Sequence, residues 1–183
     1  ALTVFYFWKS LNNQKIEYWL LFGIFSALGF LSKYLFIFLL ISIFLFFCII
    51  FKNNKKFLNF YLFSVIISLI ILLPHFFWLL KNDFVTINYG IGRSNISTDS
   101  FANHFLNPLE FTLKQFIILI PFFIMILTLI KKVKLNFNLR NNKNLFLFSV
   151  TILPLILMLL TSLLTGAKIR TMWLTPFYLF FGT

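Results

Sequence analysis

Acidic side chains are nearly missing from this sequence. Only Glu17, Asp83, Asp99 and Glu110 occur in 183 residues, and all charged residues together make up 11%, against about 25% in soluble domains. So few charges cannot cover a water-facing surface. There is one cysteine, Cys48, set in an apolar run, so an internal disulfide framework is excluded. Glycine and proline number 6 and 5, which excludes collagen-like and low-complexity chains. No HExxH and no Cys/His cluster occurs, so no metal or other cofactor is expected, and a divalent-cation requirement is left open. What is abundant is apolar: 61% hydrophobic and 21% aromatic residues, 29 of them Phe, with mean hydropathy +0.96. The solvent for most of this chain is lipid.

The net charge of +12 comes from 16 Lys and Arg. They sit in short stretches between apolar runs, not on a solvated face with polar or aromatic readers, so no nucleic-acid partner is expected. The bias of Lys and Arg toward cytoplasmic loops explains them better. The 36-residue run at 16–51 would reach about 54 Å as one helix, against a hydrocarbon core of about 30 Å. Ser32-Lys33 interrupts it, and a mid-bilayer lysine is costly. Two short spans, 16–31 and 34–51, meeting at a tight turn, are therefore predicted. Further spans are expected at 57–80, 111–130 and 145–164, with Pro74, Pro121 and Pro154 inside them. Incomplete runs lie at 1–8 and from Thr171 onward, as in an internal fragment of a larger membrane protein. The predicted fold class is all-α: a polytopic bundle of five complete and two partial spans forming one transmembrane domain over 1–183.

Loops at 9–15, 52–56 and 131–144 fall on one side and hold ten of the 16 basic residues, so that side is read as cytoplasmic. A multi-pass protein of the plasma (inner) membrane is expected. The other side carries Lys33, Lys81, Arg93, Lys114, Lys168 and Arg170 beside helix ends, together with three of the four acids. Cations kept at the membrane edge against the orientation bias suit a phosphate or pyrophosphate ligand; snorkelling to lipid headgroups is the alternative. A polar loop is predicted at 81–110. In it Gly90 and Gly92 lack the strand–turn–helix of a phosphate-binding fingerprint. Asn95-Ile96-Ser97 is a chance-level sequon. Thr98 or Asp99 is expected to cap an interfacial helix with Phe101, Phe105 and Leu109 on its apolar stripe. His75 reads as a packing residue or a substrate contact, and His104 as interfacial.

Four segments also resemble a known family. Gly29-Phe30-Leu31-Ser32-Lys33-Tyr34 is similar, through its L-[ST]-K-[YG] end, to the hairpin of polyprenyl-phosphate-dependent glycosyltransferases of the GT-C class, the family 39-like protein mannosyltransferases and their bacterial relatives. Pro74 to Thr86 resembles their P-x-x-x-W-x-x-x-[NH]-[DG]-[FW]-x-[ST] stretch. Lys114-Gln115 with Pro121 resembles their Q-x-x-x-x-x-P helix, and Lys168 to Tyr178 their R-x-x-W-x-x-P-x-[YF] segment. The resemblance implies a membrane enzyme that transfers a sugar from a polyprenyl-phosphate donor to a lipid, glycan or protein acceptor on the extracytoplasmic face. Its catalytic carboxylate is expected in an upstream loop, so no catalytic residue is assigned here and Asp83 is at most supporting. Lys33, Lys168 and Arg170 are the expected phosphate holders, with Tyr34, His75, Asp83 and Arg93 as further substrate contacts. Trp173 and Tyr89 are candidates to stack on a sugar. His75, the Phe76-Phe77 pair and Met172 depart from the bacterial pattern, so acceptor identity does not transfer. A transporter or flippase component for lipid-linked saccharides, and a non-catalytic assembly subunit, are the competing readings.

Overall fold

The computed structural model describes residues 1–51, 54–94, 101–129, 141–174 and 178. All regular structure in them is helical: α1 (Leu2–Asn13), α2 (Ile16–Ser32), a 3-10 turn (Tyr34–Phe36), α3 (Ile37–Phe51), α4 (Lys55–Lys81), α5 (Val85–Arg93), α6 (Asn103–Leu129), α7 (Asn142–Thr151), α8 (Leu153–Thr165) and a second 3-10 turn (Thr171–Trp173). The chain is an all-α protein of membrane-spanning type. Three segments, Lys55–Lys81, Asn103–Thr128 and Asn142–Thr165, are long and apolar enough to cross a bilayer, and α2 and α3 are shorter apolar helices. The helices form two compact units, Ala1–Asn88 and Tyr89–Thr183.

The break predicted at Ser32-Lys33 is present. α2 stops there because Lys33 takes an extended backbone (φ −161°, ψ 116°), while the Ser32 hydroxyl donates back to the Gly29 carbonyl at 2.7 Å. Gly29 has a steric reason to lack a side chain: a Cβ would lie 2.5 Å from the Phe36 ring, which folds back over it.

Within the first unit α2 packs against both α1 and α4. At one level the core is an aromatic cluster around the fully buried Trp19, with the rings of Phe7, Phe22, Phe47, Phe57 and Tyr61 at centroid distances of 6.1–6.5 Å. At another level small residues bring α2 and α4 into backbone contact. A Cβ on Gly23 would meet the Ser64 carbonyl oxygen at 2.6 Å, and the Ser68 hydroxyl donates to the Gly23 carbonyl at 2.7 Å. In lipid, where apolar burial drives helix association little, such close contacts and interhelical hydrogen bonds supply the attraction.

Several boundaries differ from the sequence reading. The 9–15 stretch is mostly helix, and the reversal is confined to Gln14, in the left-handed region at φ 50° with its N–H on the Ser10 carbonyl. The 81–110 stretch is not one loop, since α5 occupies part of it. The interfacial helix around Phe105 and the following span are a single helix, α6, running through Pro108. Pro108 removes one backbone hydrogen bond from α6, that of its own missing N–H, and His104 and Asn107 tie that end down. The 145–164 run is divided at Ile152, with Pro154 at the start of α8, where a missing N–H is best tolerated. The sequon, the Thr98–Asp99 cap, the loop at 131–140 and Pro176 lie outside the described residues.

Gly23→Ala is expected to cost about 1–3 kcal/mol through forced separation of α2 from α4, read as a lower midpoint of thermal unfolding in detergent. Gly90→Ala, where an added Cβ meets nothing within 4 Å, is expected to be neutral or slightly stabilising.

Candidate functional site

In the first unit the hairpin and the Pro74 motif meet. Tyr34, first residue of the turn after Lys33, hydrogen-bonds through its hydroxyl to His75 Nε2 and to Thr86 Oγ1, each at 2.8 Å. His75 stacks on Trp78 one turn along α4, with rings 14° from parallel. Phe30 packs on Tyr34 with centroids 5.4 Å apart. The half-buried Lys33 therefore stands beside a polar knot made by three chain segments, and its ammonium has no ion pair among the described residues. Sequence reading selected Lys33, Tyr34 and His75 and missed Thr86, whose only signal was its place at the end of the Pro74 motif.

Asp83 lies on the turn between α4 and α5. Both Asp83 (φ 47°) and Phe84 (φ 54°) occupy the left-handed region, which aspartate tolerates and phenylalanine rarely enters. The Phe84 N–H on the Leu79 carbonyl (3.0 Å) and the Asn88 amide on the Asp83 carbonyl (2.9 Å) hold this corner. The Asp83 carboxylate is exposed and makes no ion pair among the described residues.

The second unit holds a cavity of about 410 Å³ lined by Arg93, Lys114, Lys168, Ile169, Arg170, Thr171 and Met172. It brings together three residues chosen from sequence, Arg93, Lys168 and Arg170, and adds Lys114. Met172 lines it, and the neighbouring Trp173 does not. Among the described residues the one carboxylate bonded to this group is Glu110, which pairs with Lys114 one helical turn away and with Lys168 at 3.3 Å. Arg93 donates to the Tyr89 hydroxyl at 2.9 Å and lies over that ring. Tyr89 thus braces an arginine within α5.

The segment carrying Lys168 and Arg170 is fixed by its backbone. α8 ends on Gly166 in the left-handed conformation (φ 65°), a helix C-cap whose N–H returns to the Ser162 carbonyl. Asn107 then donates to the Gly166 carbonyl (2.6 Å), Ser162 to the Ala167 carbonyl (2.7 Å) and Gln115 to the Thr171 carbonyl (3.3 Å). The Lys168 N–H bonds the Ser94 carbonyl at 2.8 Å. His104 holds the Leu163 carbonyl through Nδ1 at 2.9 Å, a structural role. With the flanking Gly166, Ala167 and Thr171 carbonyls so occupied, the non-helical stretch from Lys168 to Arg170 is held in place with both long side chains at the cavity. Among the described residues no three His, Cys, Asp or Glu side chains gather as a metal-binding set.

Tyr34→Phe would strip the shared partner from His75 and Thr86. A loss of about 1–3 kcal/mol is expected, checked by thermal unfolding of the purified protein. Thr86→Val, which leaves the Tyr34–His75 bond intact, is expected to lose less.

The family model described as dolichyl-phosphate-mannose-protein mannosyltransferase matches residues 1–78. No curated protein and no solved structure matches the chain. The matched stretch contains the Lys33 hairpin and its partner His75 on α4. Over residues 1–78 the chain is thus similar to that family of membrane glycosyltransferases of the GT-C type, in agreement with the resemblance carried by the hairpin.

Proposed function

We propose that the protein transfers a sugar from a polyprenyl-phosphate donor to a lipid, glycan or protein acceptor on the extracytoplasmic face of the plasma membrane. The observation that carries the reading is the gathering of Arg93, Lys114, Lys168 and Arg170 around one cavity in a chain with so little charge. Four cations around one cavity beside the apolar helices α6 and α8 suit a ligand that joins an anion to a hydrocarbon tail. Arginine can grip a phosphate with two parallel hydrogen bonds, and lysine adds a compact point charge. An apolar cavity of about 220 Å³ between α6 and the α7–α8 segment has Phe111, Phe116 and Leu155 in its wall. It offers hydrocarbon surroundings beside Gln115, the residue bonded to Thr171 at the cation cavity.

In the proposed reaction the bond between the sugar's anomeric carbon and the phosphate oxygen breaks as the acceptor's hydroxyl oxygen bonds to that carbon, and the hydroxyl proton passes to water or to the departing phosphate. Negative charge grows on the departing phosphate. Cations positioned beside the departing oxygens stabilise that charge more in the transition state than in the bound donor, which accelerates the step. In the first unit, taken by itself, Lys33 beside Tyr34 and His75 is proposed to contact a phosphate, and Asp83 to be a supporting group at the corner before α5. No general base is assigned in this chain.

Replacing Lys168 and Arg170 together by Gln is expected to lower transfer by about a hundredfold or more, assayed in membranes carrying the full protein and a panel of polyprenyl-phosphate sugars. Lys33→Gln alone is expected to lower it by about tenfold. Membrane insertion, followed by protease protection, should be unchanged. Full transfer by the double variant would overturn the phosphate-holding role.

A further inference from the structure

The four cations of the second-unit cavity are not left wholly without an anion. Glu110, on α6 one turn before Lys114, contributes both carboxylate oxygens to the group: Oε1 to the Lys114 ammonium and Oε2 to that of Lys168. Those two lysines lie on different elements, one on α6 and one on the strand after α8, and both line the cavity. The carboxylate therefore bridges them as the two oxygens of a phosphate would. Arg93 and Arg170 line the same cavity and have no ion pair to any carboxylate among the described residues.

Resting on the phosphate-binding reading above, we infer that Glu110 is a built-in stand-in for the ligand's phosphate, which gives up Lys114 and Lys168 when a phosphate arrives. The exchange sets both affinity and selectivity. An incoming anion must break two ion pairs to reach the lysines, so a lone carboxylate gains little by replacing another carboxylate. A phosphate offers more oxygens and more charge. It can take over both lysines and engage the arginines together. The geometry permits the exchange at small cost. Glu110, Lys114 and Lys168 are each 40–54% exposed, and exposed pairs of this kind are individually weak. The Lys168 stretch itself is held on α6 by the bonds from Asn107 and Gln115, so the exchange leaves the frame of the cavity in place.

The test is binding of farnesyl phosphate to the full protein in detergent, by isothermal titration calorimetry at fixed ionic strength, with the fatty carboxylate laurate as the comparison anion. Glu110→Gln preserves shape and removes the competing charge. It is expected to tighten farnesyl phosphate binding by about three- to tenfold and to tighten laurate binding at least as much, so that selectivity for phosphate falls. In a Lys114→Gln, Lys168→Gln background the same substitution should change binding less than twofold, because the competition acts through those lysines. Unchanged or weaker farnesyl phosphate binding in Glu110→Gln overturns the inference. So does an equal gain in the lysine-free background, which would mark a general charge effect. If the two lysine substitutions by themselves leave farnesyl phosphate binding intact, the phosphate-binding reading fails instead. Thermal unfolding of each variant, run alongside, checks that the fold persists.

Discussion

The close approach of α2 and α4 at Gly23 sets the register for everything above it in the first unit. Gly23 touches the backbone of Ser64, and the Ser68 hydroxyl bonds across the gap to the Gly23 carbonyl. From that level α2 runs ten residues to the Lys33 break, and α4 runs eleven residues from Ser64 to His75. At 1.5 Å rise per residue both helices climb about 15–17 Å, so Tyr34 and His75 arrive at matching heights. Their 2.8 Å bond depends on that match. A shift of one residue along either helix would move the groups apart by half the length of a hydrogen bond and rotate one of them by about 100°.

Much of this was legible in sequence because lipid leaves few options. A 36-residue apolar run with a lysine in its middle must fold back, and the break is found at Ser32-Lys33. Helix, not strand, follows from the need to satisfy every backbone group inside the segment. What failed were ends and joints. A polar loop was expected up to residue 110 and a span from 111, yet α6 is one helix from Asn103 onward, and its first turns are tied to the end of α8 by His104 and Asn107, 59 positions away. At Ile152 the break has a local cause, Pro154 two residues on, which was placed inside a single span. Hydropathy records neither the distant tie nor the joint.

The candidate site shows the same division. Lys168, Arg170 and Arg93 were chosen because each is a cation at a helix end, which is a local property. For Lys114 a phosphate contact and snorkelling to headgroups were both left open, and its one local partner is Glu110, one turn away. Its importance lies in Lys168 reaching the same carboxylate from another element. Thr86 was missed for a similar reason: it matters as the second partner of Tyr34, a contact 52 residues apart in the chain. Single cations can be read from a sequence, but the pairing that gives them a shared purpose cannot.

The corner at Asp83 and Phe84 has a mechanical consequence. Two successive left-handed residues, one of them bulky, hold conformational energy on the order of a few kcal/mol, and the Asn88 and Leu79 contacts keep it from being released. The joint is loaded like a bent spring held by two small catches. Anything that loosened the Asn88 amide would favour a straighter path for the chain, drawing Thr86 away from the Tyr34 hydroxyl.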